Sequence, residues 1–358
     1  MNLFCRFKKD IREIELNIYL TTACDTGCKH CNSNSSLVNP IHFTEEMARI
    51  IVGESKKNNL KLAVLFTGGG EPLLNSQLAS IADTFFGYKK FDSFHLFTSG
   101  FTAKEKERKE NLRNLLCIKS KVKHFEIYQS FNLYHKSFPE RLINLADMMM
   151  SLNDKSFFFL RACVSIENYQ ETHFVIEKTL GHYAFVKQGK FFLFPLGYFE
   201  KDRHNFPLSE NDLLNLEDME NLKLKSFNTP HWYFIKKGDS KLIITLFSFS
   251  FLPEGRGRSL KEKPFSKIVC FPMGRVNNNS LLIGPDGAVY PDCGCYPDKV
   301  MCLGKIGENP LSEIIERKNK FSAQILKRFL SDSRVCQWGT DEVCVLCKKI
   351  VAEGGLVL

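Results

Sequence analysis

The chain has 358 residues, enough for one large domain or for a large domain with a smaller one, and it can bury a core without disulfide staples. A hydrophobic content of 44% with 25% charged residues describes a globular protein and excludes a disordered or fibrous one. The formal charge of +9 is dispersed among acidic residues, and the densest run, Lys104 to Lys109, contains Glu105 and Glu107. Such a run reads as the wet face of a helix, so no nucleic-acid partner is expected.

In chain order, Ile14, Leu16, Ile18 and Leu20 alternate with other residues and predict a first strand. Its carboxyl end runs into Cys24-Asp25-Thr26-Gly27-Cys28-Lys29-His30-Cys31, three cysteines within eight residues. Thr44 then caps a helix that opens with Glu45 and Glu46. Leu62 to Phe66 is a buried strand leading into Thr67-Gly68-Gly69-Gly70-Glu71-Pro72, and a helix follows from about Asn75. Phe94 to Phe97 is a strand ending at Thr98-Ser99-Gly100, followed by a charged helix over about 104–116. Further strands are expected at His124–Tyr128, Phe157–Val164 and Phe191–Phe194, with helices around 139–152 and Tyr169–Leu180. Six strands alternating with five helices imply a parallel α/β architecture with right-handed crossovers.

The rhythm breaks after Gly197. Polar loops, a short helix near 209–220 and apolar runs at Trp232–Ile235 and Leu242–Phe251 suggest extra strands at the edge or a lid. From Cys270 the chain is rich in cysteines and turns, which places a boundary near residue 265. The division expected is 1–196, a core barrel; 197–265, a barrel-edge or lid extension; and 266–358, a small cysteine-rich α+β domain.

The 13 cysteines cluster as 24/28/31, 270/293/295/302 and 336/344/347, while Cys5, Cys117 and Cys163 stand alone and read as buried apolar residues. No secretory or membrane-spanning run is present, so the expected location is the cytoplasm, without a membrane partner. In that compartment clustered cysteines favour metal binding over disulfides. Three thiolates can hold an iron–sulfur cluster and leave one iron without a protein ligand. Structural zinc is the alternative, but nothing nearby completes a four-ligand set, and zinc would not explain the glycine–glutamate loop.

The C-x3-C-x2-C loop after the first strand, with Gly69-Gly70-Glu71 after the second, resembles the radical S-adenosylmethionine (radical SAM) superfamily over roughly residues 13–196. The resemblance implies a partial (β/α)6 TIM-like barrel and an enzyme. It implies a [4Fe–4S] cluster on Cys24, Cys28 and Cys31, with S-adenosylmethionine chelating the fourth iron. Reductive cleavage of that cosubstrate would give a 5′-deoxyadenosyl radical that abstracts a substrate hydrogen atom. Gly69, Gly70 and Glu71 match the segment that binds the methionine amino group, and Ser99 matches the end of the third strand. Ser130, Arg161 and Asn168 fall where members place ribose and carboxylate contacts, or are ordinary polar residues at strand ends. His30 stands where an aromatic residue is usual.

Cys270-Phe271-Pro272-Met273-Gly274, Leu281–Gly284, Pro285-Asp286-Gly287 through Cys293, and Leu303–Ile306 resemble the start of the SPASM and twitch extensions of that superfamily. There an Asp-Gly hairpin turn precedes cysteines of an auxiliary [4Fe–4S] cluster. The ligand set implied is Cys270, Cys293, Cys344 and Cys347, with Cys295 a rival for Cys293. Cys295, Cys302 and Cys336 supply only three ligands of a second site, and a zinc ribbon is the alternative for this domain.

The expected reaction is therefore radical-based modification, oxidation or crosslinking, of a peptide or protein side chain. An electron donor such as flavodoxin or ferredoxin would be the redox partner. The first strand begins near residue 13 and leaves no room for a separate N-terminal peptide-recognition domain, which keeps a small-molecule dehydrogenase as the alternative. A non-catalytic iron–sulfur or zinc scaffold is the reading from another class.

Overall fold

The structure, a computed structural model, describes residues 13–29, 31, 33, 35–133, 137–152, 157–164, 169–183, 190–191, 214–215, 231–237, 240–250, 280–292 and 299–331. Five strand–helix units come first: β1 Glu13–Tyr19, α1 Glu45–Lys57, β2 Lys61–Thr67, α2 Leu78–Phe86, β3 Phe91–Thr98, α3 Lys106–Ile118, β4 His124–Phe131, α4 Phe138–Ser151, β5 Phe157–Val164 and α5 Tyr169–Leu180. Then follow β6 Lys190–Phe191, β7 Leu214–Asn215, β8 His231–Lys237, β9 Ser240–Ser250, β10 Ser280–Ile283, β11 Ala288–Pro291, β12 Gly304–Lys305 and α6 Leu311–Ser331.

One open ten-stranded sheet, ordered β12-β11-β10-β1-β2-β3-β4-β5-β9-β8, carries the fold. Strands β1 to β5 are parallel in consecutive order, as sequence alternation predicts. The result is a mixed α/β fold of the partial-barrel kind with a parallel centre.

The parallel neighbour of β5 differs from expectation. It is β9, with Phe158 opposite Ile244 and Arg161 opposite Phe247, and β8 returns antiparallel to it. Among the described residues Lys190–Phe191 pairs with Leu214–Asn215, in a separate two-stranded ribbon. An apolar run cannot by itself reveal whether it joins the main sheet. The eleven-residue β9 offers a long ladder to β5, whereas β6 is two residues long and Phe191 is its one residue from the 191–194 run, the rest of which lies outside the described residues. Leu214–Asn215 is also extended where a short helix was expected, and the rest of 209–220 lies outside the described residues.

The helix-side face of the sheet is the core. Ile14, Leu16 and Ile18 of β1, Leu62, Val64 and Phe66 of β2, and Phe94 and Leu96 of β3 are all buried. Many of the chain's phenylalanines fill this layer: Phe94 packs edge-on to Phe66 at 4.8 Å and to Phe86 at 5.1 Å, and stacks on Phe125 at 5.2 Å. Thr44 caps α1 by accepting the Met47 amide at 3.3 Å. Cys117 breaks its expectation, for it is exposed. Leu112, Leu115 and Leu116 form the inner stripe of α3, so helical periodicity turns residue 117 outward.

The Asp286-Gly287 turn joins β10 to β11 as a hairpin, with Gly287 at φ +84° and the Asp286 carboxylate accepting the Ala288 amide at 3.1 Å. β10 lies parallel against the outer edge of β1, placing Leu282 opposite Asn17. The late hairpin therefore extends the same sheet that carries the cysteine loop.

Candidate functional site

The loops that follow β1, β2 and β3 meet at the carboxyl ends of the parallel strands, where α/β folds place their sites. Contact between the first two is close. Glu71 donates its amide to the Ala23 carbonyl at 2.8 Å. A Cβ on Gly70 would stand 2.2 Å from that same oxygen and 2.6 Å from the Thr21 carbonyl, so only glycine fits. Gly69, at φ +87°, passes over the Tyr19 ring, which a Cβ would meet at 2.9 Å.

Glu71 then ties the second loop to the third. One carboxylate oxygen accepts the Thr98 hydroxyl at 2.6 Å and the Leu73 amide at 3.1 Å. The other accepts the Ser99 amide at 2.7 Å and the Ser99 hydroxyl at 2.6 Å. Burial raises the pKa of this carboxyl, and the bonds from Ser99, Thr98 and Leu73 oppose the rise. With both its oxygens engaged, Glu71 acts as a brace between loops, and the glycine backbone is the part that lies against the cysteine loop.

Cys24, Cys28 and Cys31 lie half-buried along the first loop. The Ser33 hydroxyl lies 3.2 Å from Cys31 Sγ and donates to the Gly69 carbonyl at 2.7 Å, which links the cysteine and glycine loops again. Asn132, just past β4 and buried, donates Nδ2–H to Cys28 Sγ at 3.7 Å, and its Oδ1 is buried without a partner among the described residues. Sulfur atoms that receive side-chain hydrogen bonds suit iron–sulfur ligation. Among the described residues no three His, Cys, Asp or Glu side chains converge on a single ion.

Two buried arginines complete the base of the site. Arg108 Nη1 donates to Ser99 Oγ at 3.1 Å and to the Gly100 carbonyl at 3.0 Å, and Nη2 donates to Asp25 between Cys24 and Thr26. Arg141 Nη1 donates to the same Gly100 carbonyl at 2.8 Å, Nη2 to Glu105 at 2.6 Å and Nε to Ser137 at 3.0 Å. Burial pulls the Arg108 pKa down to about 10; Arg141 adds to this and Cys24 opposes it, so the guanidinium stays charged at neutral pH. Sequence reasoning missed both arginines. Arg108 sits in a run where Lys104, Lys106, Glu107 and Lys109 are exposed, and only the tertiary fold turns it inward.

Ser130 and Arg161 stand opposite one another in the β4–β5 register, and the Arg161 guanidinium lies 4.9 Å above the Phe97 ring. Below them on the inner face, Phe97, Tyr128 and Phe159 form a cross-strand stack with centroids 4.4 and 4.6 Å apart. Glu126 accepts from the Tyr128 hydroxyl at 2.6 Å and lies 2.7 Å from His95 Nδ1. His30 and Asn168 lie outside the described residues, as do Cys270, Cys293, Cys295, Cys336, Cys344 and Cys347. Cys302 is described, and its thiol donates to the Gly304 carbonyl at 3.3 Å.

The architecture and this rim define the class: a mixed α/β, partial-barrel protein with a three-thiol loop braced against a glycine loop. No protein-family model matches the chain, and no curated protein matches it. Among solved structures it is similar to BtrN, crystallised with AdoMet and 2-DOIA, at 13% identity and a TM-score of 0.43, over 88% of this chain and 87% of that one. It is also similar to Streptococcus suis SuiB, crystallised with its precursor peptide SuiA, at 14% identity and a TM-score of 0.34. That match covers 85% of this chain, which spans 65% of the SuiB chain.

Proposed function

We propose that the chain is a radical SAM enzyme that modifies a peptide or protein side chain by oxidation or crosslinking. The observation that carries this reading is the bracing of the C-x3-C-x2-C loop against Gly69-Gly70-Glu71: the Glu71 amide is on the Ala23 carbonyl, and Gly70 is too close to that loop for any side chain. Cys24, Cys28 and Cys31 would hold a [4Fe–4S] cluster. Such a cluster, when bound, would supply the electron for reductive cleavage of S-adenosylmethionine.

The chain's own residues bind, orient and shield. Gly69 and Gly70 bring backbone against the cysteine loop and form the methionine side of the site. Glu71 and Ser99 keep that backbone in place from below. Ser130 and Arg161, neighbours across β4 and β5, present a hydroxyl and a fixed positive charge to the ribose and carboxylate; Asn168 is assigned with them. Asn132 donates to the Cys28 sulfur, and Ser33 ties the cysteine loop to the Gly69 carbonyl. The Phe97–Tyr128–Phe159 stack gives the inner face an apolar wall that keeps a reactive radical away from water.

Residues 1–196 serve as the core barrel, 197–265 as its edge or lid, and 266–358 as a SPASM/twitch-like domain with an auxiliary [4Fe–4S] cluster on Cys270, Cys293, Cys344 and Cys347. The support is the Asp286-Gly287 hairpin, which forms where that resemblance needs it. The enzyme works in the cytoplasm with a flavodoxin- or ferredoxin-type donor; among the described residues no helix is long and apolar enough to cross a membrane.

The test is anaerobic reconstitution with iron and sulfide, then dithionite and S-adenosylmethionine. Formation of 5′-deoxyadenosine supports the enzyme; none from a fully loaded protein leaves only an iron–sulfur scaffold.

A further inference from the structure

We propose that Arg108 is a positioning residue for the three-cysteine loop, its buried guanidinium holding Asp25 and setting a fixed positive charge beside Cys24. This rests on the reading of that loop as the seat of a cluster.

Arg108 is 1% exposed, in the first turn of α3. Three circumstances disfavour a cation there. The helix amino end carries a partial positive charge of its own. The site is shielded from water. Arg141 shares its acceptors, since both guanidinium groups donate to Ser99 Oγ and the Gly100 carbonyl. Glu105 pairs with Arg141, which leaves Asp25 as the carboxylate paired with Arg108 among the described residues. Asp25 follows Cys24 directly, so the ion pair pins the cysteine loop to the β3–α3 loop. Arg108 Nε–H is buried and has no acceptor among the described residues, so the cation is only partly compensated.

Placed there, the charge has a consequence for redox chemistry. A cluster gains one negative charge when it accepts an electron. A fixed cation in a poorly solvated site favours the reduced form and raises the potential. Asp25 acts in the opposite sense while it orients the cation.

The experiment is a redox titration of the reconstituted full-length chain with dithionite, following the paramagnetic signal that responds to added S-adenosylmethionine. Arg108→Gln, Arg108→Lys and Asp25→Asn are compared with the unsubstituted protein. Arg108→Gln is expected to load the same iron and titrate at a more negative potential, with Arg108→Lys restoring most of the difference. Asp25→Asn is expected to move the potential positive. A purely structural role would disturb both sites in the same direction, so shifts of like sign overturn the proposal. An unchanged potential in a fully loaded Arg108→Gln protein also overturns it. Should Arg108→Gln fail to take up iron, Asp25→Asn decides: a positive shift supports the proposal, and no shift overturns it. If the unsubstituted chain itself binds no iron, the cluster reading fails first and the role of Arg108 falls with it.

Discussion

Gly70 and Glu71 are adjacent in the chain and do different work. Gly70 is needed for what it lacks, because any Cβ would collide with two backbone oxygens that no rotamer change can move. Gly70→Ala should therefore destabilise the fold by about 2–3 kcal/mol through overpacking, measured by urea denaturation. A loss under half that would show that the two loops can separate. Glu71 is needed for its three hydrogen bonds to Thr98 and Ser99 at the end of β3, with a fourth from Leu73 in its own loop. In α6, Lys318 is buried, and desolvation lowers its pKa to about 8, with Asp292 opposing the shift. A lysine ionises less readily in that folded setting than in the unfolded chain. Its contribution to stability is present above its ordinary value near 10.5 and lost as pH falls through about 8. Lys318→Met should thus gain stability relative to the unsubstituted protein near pH 7, with the gain shrinking as pH rises toward 10. Thermal melts across that range check the sign; a difference independent of pH would refute it.

The elements follow local chemistry closely where helices and strands alternate. Thr44 caps α1, Glu45 and Glu46 occupy its first turn, and Lys56 and Lys57 its last, so cap and charges agree with the helix dipole. Thr44→Ala should cost about 1 kcal/mol in a denaturation midpoint, and Thr44→Ser should keep most of it. Helix α3 shows the limit of such reasoning. Its charged run predicts a solvated face, and Lys106, Glu107, Lys109 and Glu110 are indeed exposed, yet Arg108 points into the base of the site. A charge's neighbours in sequence do not reveal which turn of the helix lies over the carboxyl edge of β3.

At the scale of the molecule, one sheet joins segments far apart in the chain. The β10–β11 hairpin docks on β1, and Asn17 donates to Asp292 at 3.3 Å across that junction. Asp292 directly precedes Cys293, so this docking ties the proposed auxiliary-cluster segment to the strand that bears the first cysteine loop. Two clusters would give about eight irons per chain on reconstitution, and zinc in the C-terminal segment about four. Cys24→Ala, Cys28→Ala and Cys31→Ala should each remove about four irons and all 5′-deoxyadenosine formation. Retention of the full iron content by any of them would refute the ligand assignment.

The sequence alone determined the order and type of the first ten elements. It also placed the three-cysteine and glycine–glutamate loops at carboxyl ends of neighbouring strands, because periodicity, caps and glycine turns are local signals. Only the tertiary structure decided that β9 stands beside β5 and that β10 takes the far edge of β1. Strand partnership depends on ladders formed between distant segments, and periodicity carries no record of it. The same holds for Arg108, Arg141 and Asn132. Their roles arise from burial against loops distant in the chain, and burial is settled when the whole sheet and its helices pack.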